Sequence, residues 1–61
     1  MKVSFIVNNY TLGAKVKSTP TDKIISMERL SNTRTEIVYE INDREKLFCE
    51  KVLAKKGEVI E

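Results

Sequence analysis

The side chains that could do chemistry in this 61-residue chain are a single thiol, scattered carboxylates and eleven basic groups. Histidine is absent, so the usual imidazole base of a Ser-His or Cys-His nucleophile is missing. The only cysteine, Cys49, lies among apolar residues at helical spacing, where a thiol is more often a core hydrophobe. The carboxylate pairs Glu36/Glu40 and Asp43/Glu45 fall where solvated strand faces and helix N-termini usually carry acids. The sequence therefore predicts a protein that is not an enzyme.

No cofactor and no metal ion are expected. One thiol without histidine cannot form a structural zinc site, which normally takes four Cys or His ligands. Gly13 and Gly57 are too far apart to build a phosphate-binding loop. A core this small is not expected to offer a pocket of ~300 Å3 or more, so no small-molecule substrate is predicted. The lone cysteine suits a reducing compartment, and without a run of ~20 apolar residues a cytoplasmic protein with no membrane partner is expected.

The basic side chains offer an alternative chemistry, which is contact with nucleic-acid phosphates. Residues 1–34 carry six basic and two acidic side chains, whereas residues 35–61 carry five basic and seven acidic ones. Cations gathered on one sheet face could bind phosphates, with Tyr10 and Tyr39 stacking on bases. The net charge is only +2, and lysines on strands also protect sheet edges from aggregation. The residues of this hypothesis are Lys15, Lys17, Lys23, Arg29 and Arg34.

Two N-terminal strands are expected to carry the first of these cations. Val3, Phe5 and Val7 occupy every second position, which is typical of a strand with one buried face. Ile6 alone interrupts the polar positions between and around them, so part of that second face could also be covered. The Asn and Gly residues of segment 8–13 predict a turn. Residues 14–17 alternate again and predict a second, antiparallel strand with Lys15 and Lys17 directed to solvent. Pro20 then interrupts the chain.

The centre of the chain, residues 23–41, predicts a β-hairpin that turns at Ser31-Asn32-Thr33-Arg34. A helix over the first half of this segment is the alternative, but β-branched residues and the nearby turn favour a strand. The loop length decides which side chains share a face. An odd-numbered loop pairs Met27 with Tyr39, whereas an even-numbered loop pairs Met27 with Val38. The even-numbered loop gathers a candidate protein-binding face of Ile25, Met27, Arg29, Glu36 and Val38.

A helix is predicted over residues 43–56. Asn42 and Glu45 have the spacing of a capping box. Gly57, just past two lysines, is typical of a helix end. The predicted apolar stripe consists of Phe48, Cys49, Val52 and Leu53. A strand over residues 46–53 is the alternative, and the last four residues could add a short strand.

These elements predict a single α+β domain over residues 1–61, a small antiparallel β-meander of three to four strands with a C-terminal helix packed on one face. An all-β small barrel is the alternative. A chain of this size buries only ~60% of its unfolded surface, and a lone cysteine allows no internal disulfide. The sequence therefore predicts a small non-enzymatic protein-interaction or regulatory module, self-associating or binding another protein through a sheet edge or the hairpin face. Nucleic-acid binding by a basic strand face is the alternative.

Overall fold

A computed structural model describes all 61 residues, Met1–Glu61, as an antiparallel sheet with two helices. The elements in chain order are β1 (Lys2–Asn8), α1 (Asn9–Val16), β2 (Ile24–Arg29), β3 (Arg34–Glu40), α2 (Asp43–Leu53) and β4 (Glu58–Val59). The sheet is open, with the strand order β2-β3-β1-β4. The α+β class and the C-terminal helix are therefore confirmed, and no barrel forms. The order differs from a simple meander because β1 lies between β3 and β4 instead of beside β2.

The predicted second strand over residues 14–17 is wrong, because this segment belongs to helix α1. Asn8 is the N-cap residue, and its side-chain oxygen accepts a hydrogen bond from the Tyr10 N–H at 2.8 Å. Leu12 and Val16, four residues apart, lie on one side of the helix and pack against the core. The Asn and Gly residues that predict a turn therefore begin and continue a helix.

The predicted hairpin is confirmed as β2 and β3, with a bulge between Ile24 and Ser26. Its loop has an odd number of residues, because the Leu30 N–H donates to the Arg34 carbonyl at 3.0 Å across Ser31, Asn32 and Thr33. The Ser31 hydroxyl oxygen accepts the N–H groups of Thr33 and Arg34 and stabilises this loop.

The register of the hairpin follows from this loop. Met27 pairs with Ile37, and Arg29 pairs with Thr35. The even-numbered pairing of Met27 with Val38 is therefore wrong. The odd-numbered alternative has the right parity but is displaced by two residues, because Met27 pairs with Ile37 instead of Tyr39.

The core lies on one side of the sheet only, between the central strands and the two helices. Phe5 of β1 and Tyr39 of β3 meet edge to face, with ring centroids 5.6 Å apart. The buried Tyr39 hydroxyl is satisfied by the Thr19 hydroxyl at 2.7 Å. The fully formed core comprises Val3, Phe5, Val7, Ile37, Tyr39, Ile41, Cys49 and Leu53.

Helix α2 begins as predicted and ends earlier than predicted. The capping box is formed, because Asn42 and Glu45 each accept the other's backbone N–H. The helix ends at Leu53, and the left-handed residue that terminates it is Ala54 (φ 54°) rather than Gly57. Gly57 instead lies against Phe5. It is followed by β4, so the predicted short C-terminal strand is confirmed.

Candidate functional site

Strand β2 is exposed on three sides. It is the last strand at one end of the sheet, and every residue from Ile25 to Arg29 is exposed. Helix α1 packs over β1 and β3, and the buried side chains of α2 join the same central core. As a result, Ile25 and Met27 are each 49% exposed, and Leu30 just beyond the strand is 51% exposed. Each of these three apolar side chains therefore leaves about half of its surface open to solvent.

The backbone of β2 also has an unpaired side. Hydrogen-bonded and non-hydrogen-bonded pairs alternate along an antiparallel ladder. Leu30 bonds to Arg34, so Glu28 and Ser26 also direct their N–H and C=O groups toward β3. Met27 and Arg29, by the same alternation, direct theirs away from the sheet, where no other strand lies. Such groups are the ones with which an incoming strand pairs.

The predicted protein-binding residues do not share one face. Met27 and Arg29 lie on the helix side of the sheet, since they pair with Ile37 and Thr35. Glu36 and Val38 lie on the opposite side, and Val38 is only 8% exposed. Ile25 lies at the bulge. The structure therefore brings together Ile25, Met27 and Arg29 along an exposed edge strand, and the even-numbered loop that would add the other two is not formed.

The cations of the nucleic-acid hypothesis are spread over several elements. Lys15 and Lys17 lie on and just after helix α1 instead of on a strand, and the Lys15 Nζ donates to the Leu53 carbonyl at 3.3 Å. Lys23 lies in a single 3-10 turn at the start of β2, at the end opposite Arg29. Arg29 and Arg34 fall on opposite faces of the hairpin by its register. The predicted convergence of these side chains on one sheet face is therefore wrong.

The face of the sheet without helices carries a polar cleft of about 470 Å3. Because the cleft lies on the surface, it does not bear on the prediction that the small core holds no pocket of this size. Lys55 and Lys56, which the sequence marks only as the end of a helix, form one wall of it. No spacing rule points to them, because only the placement of β1 between β3 and β4 brings them near Arg34. The lining residues are Ser4, Ile6, Asn8, Thr33, Arg34, Glu36, Lys55, Lys56 and Glu58.

Helix α2 presents a second, smaller apolar patch. Leu47 is 64% exposed and Phe48 is 51% exposed on its outer side. The sequence predicts Phe48 on the buried stripe of α2, but only Cys49 and Leu53 of this helix are fully buried. Leu47 and Phe48 lie beside the charged Glu50 and Lys51. This patch provides a natural comparison for experiments on β2.

Cys49, the chain's only thiol, is fully buried. Burial raises the pKa of the Cys49 thiol, and the negative charge of Glu45 raises it further. A raised pKa leaves little of the thiol as thiolate, and Cys49 lies within the buried core. No cluster of three or more His, Cys, Asp or Glu side chains is arranged to hold a metal ion.

Comparison with protein-family models, curated proteins and solved structures found no match to this chain. Neither of its helices has the length and apolar character needed to cross a bilayer.

Proposed function

We propose that this chain is a small protein-interaction module that binds its partner by pairing a strand with the free edge of β2. The observation that carries this proposal is that β2 is exposed on both faces and along its outer edge. A partner strand would accept and donate hydrogen bonds at Met27 and Arg29 and would extend the sheet to a fifth strand. The single free thiol suits a module of the reducing cytoplasm.

The size of the exposed surface predicts reversible binding. Covering the half-exposed side chains of Ile25, Met27 and Leu30 would contribute roughly 3 kcal/mol, taking half of the ~1.5–3 kcal/mol for full burial of each. The new backbone hydrogen bonds would each add about 1 kcal/mol. Association costs ~4–15 kcal/mol in lost freedom of motion. The balance favours a partner that binds and dissociates over an obligate subunit.

A second copy of the chain is the partner that the residues of β2 favour. Two β2 strands can pair antiparallel about a two-fold axis, which makes a closed and self-complementary contact. With the axis at Met27, this residue meets its own copy and Glu28 lies opposite Ser26. A shift of the partner strand by two residues, to Met27 opposite Arg29, places Glu28 opposite Glu28, and like charges directly opposite each other are unfavourable. The charges of β2 therefore select the register centred on Met27.

Sedimentation equilibrium of the wild type and two variants tests this proposal. The wild type should approach twice its monomer mass of 7.0 kDa as its concentration rises toward the millimolar range. Met27→Pro should remain monomeric, because it removes an outward-facing donor and places a ring in the path of the second strand.

Leu47→Lys is the matched control, because it charges the exposed α2 patch instead of β2, and it should associate like the wild type. A wild type that stays monomeric at every concentration would remove the self-association version. Loss of association in Leu47→Lys with no change in Met27→Pro would move the interface to α2 and contradict the role of β2.

A further inference from the structure

We propose that the polar cleft on the helix-free face binds a small phosphorylated molecule that also carries hydroxyl or amino donors, such as a mononucleotide. The cleft is separate from β2 and lies over β1. Its floor is formed by Ser4, Ile6 and Asn8, which project from one face of β1. Arg34 borders it from the hairpin, and Lys55 and Lys56 border it from the segment after α2.

Three cations of the cleft have no carboxylate partner. The ion pairs of the structure join the Met1 amino group to Glu40, Lys2 to Glu61, and Lys46 to Glu50. None of them involves Arg34, Lys55 or Lys56, although the chain has nine acidic side chains. Lys56 still acts electrostatically on the Glu50 carboxylate, and Glu36 and Glu58 line the same cleft, so the cations exceed the carboxylates there by one charge. Arginine and lysine that are free of ion pairs are the usual binding groups for phosphate.

The floor of the cleft adds neutral donors. The Asn8 side-chain oxygen is occupied by the Tyr10 N–H, so its amide NH2 group remains available to a ligand. The Asn9 N–H, just beyond β1, donates to the Thr33 carbonyl. Because hydrogen-bonding directions alternate along a strand, the odd-numbered residues of β1 bond to β3, and the Ile6 N–H is directed toward the side of β4. Strand β4 pairs only with Val3 and Ser4, so no strand lies beside Ile6. Both donors lie between the two cationic walls.

Two carboxylates limit the kind of anion that fits. Glu36 accepts a hydrogen bond from the Ser4 hydroxyl at 2.7 Å, and Glu58 lies on the opposite wall without an ion pair. They can accept hydroxyl or amino donors of a ligand, but they repel a continuous chain of phosphates. The cleft volume of about 470 Å3 is within the range of small-molecule sites, ~300–1,000 Å3. These features favour a compact phosphate monoester over a nucleic-acid strand.

The experiment is a titration of 15N-labelled protein with adenosine monophosphate, followed by amide chemical shifts. Parallel arms use adenosine, inorganic phosphate and a single-stranded oligonucleotide. The test variant is Lys55→Gln/Lys56→Gln, and the control is Lys17→Gln/Lys51→Gln, which removes the same charge from outside the cleft. All four residues are exposed, and the amide spectrum of each variant verifies its fold.

We expect the chemical-shift changes to concentrate at Ile6, Asn8 and Arg34. Binding should weaken about tenfold or more in Lys55→Gln/Lys56→Gln and stay unchanged in the control variant. Equal weakening in both double variants would show general charge attraction and overturn the site. The same conclusion would follow if adenosine monophosphate caused no shifts at low salt. Much tighter binding of the oligonucleotide than of the mononucleotide would replace the small ligand by nucleic acid. Since β2 lines no part of the cleft, none of these outcomes bears on the proposed strand pairing.

Discussion

The two glycines of the chain differ in the space that their surroundings leave for a side chain. A Cβ atom on Gly57 would lie 2.7 Å from both Phe5 Cζ and Val3 Cγ1, whereas one on Gly13 would meet nothing within 4 Å. Phe5 and Val3 are fully buried and cannot move aside freely. Gly57 is therefore required by close packing against the sheet, and the conformational freedom of glycine is not the reason for it.

The same substitution at these two glycines should change stability in opposite directions. Gly57→Ala should lower the free energy of unfolding by about 1–3 kcal/mol, because the core must shift to admit the methyl group. Gly13→Ala, inside helix α1, should raise it by about 0.5–1 kcal/mol. Urea unfolding followed by circular dichroism measures both. Equal effects at the two positions would mean that Gly57 does not lie against Phe5.

Glu50 links helix α2 to the segment before β4. Its carboxylate accepts hydrogen bonds from the Lys46 Nζ at 3.0 Å and from the Gly57 N–H at 2.8 Å. The Lys46 side chain, and then the Gly57 N–H, lower the pKa of the Glu50 carboxyl below its ordinary value of 4.5. A lowered pKa in the folded state means that this contribution to stability is present above about pH 4.5 and is lost as the pH falls through the folded value.

Glu50→Gln should therefore be less stable than the wild type at neutral pH. The difference should shrink once the pH is below the folded pKa of Glu50, because the wild-type carboxyl is then uncharged as well. Urea unfolding across an acid series measures it. Glu58→Gln, which removes an exposed carboxylate without an ion pair, is the control and should show a smaller difference. A constant difference between Glu50→Gln and the wild type at all pH values would contradict the role of the charge.

At the scale of elements, local signals identified some segments well and others poorly. Helix α2 could be predicted because its capping box and apolar spacing agree with each other. The sequence predicts a turn over residues 8–13 and a strand over residues 14–17 where the structure has helix α1, because Asn8 suits a turn and a helix N-cap equally, and four alternating residues fit either period. The hairpin is predictable from the sequence, but its register depends on how many of the residues from Ser31 to Arg34 belong to the loop. That choice rests on the hydroxyl of Ser31 bonding to the N–H groups of Thr33 and Arg34, which no sequence pattern specifies.

The two candidate sites also differ in how much of each the sequence predicts. Ile25, Met27 and Arg29 could be selected from the sequence because they lie on one strand. Their separation from Glu36 and Val38 could not be foreseen, since a one-residue change of register moves a whole face. The cleft could not be predicted at all. Its walls are distant in sequence, and they meet only because β1 lies between β3 and β4.

Proline substitutions at neighbouring positions of β2 test the direction of its backbone groups. Met27→Pro should cost little stability, because the lost N–H faces away from the sheet. Glu28→Pro should cost about 3 kcal/mol or more, because it removes a hydrogen bond to β3 and distorts the ladder. Thermal unfolding of the two variants gives the comparison. A larger loss in Met27→Pro than in Glu28→Pro would mean that the alternation along β2 is reversed.

At the scale of the whole molecule, the core lies on one side of the sheet, and β2 packs against it only through the partly buried Ile24. Only 13 of the 61 residues are buried, and β2 contributes none of them. Small domains of this kind have little stability to spare. A second strand on β2 would cover its apolar side chains and satisfy its outward backbone groups. Association is thus expected to order the same strand that forms the interface.

Amide hydrogen exchange of the wild type, measured residue by residue at low and high protein concentration, tests the pairing of β2 most directly. The Met27 and Arg29 amides should exchange quickly in dilute protein and become protected as the concentration rises. The Glu28 amide, bonded to β3, should be protected throughout. If the protein associates while Met27 and Arg29 still exchange quickly at the highest concentration, the interface lies elsewhere and β2 is not the strand that binds the partner.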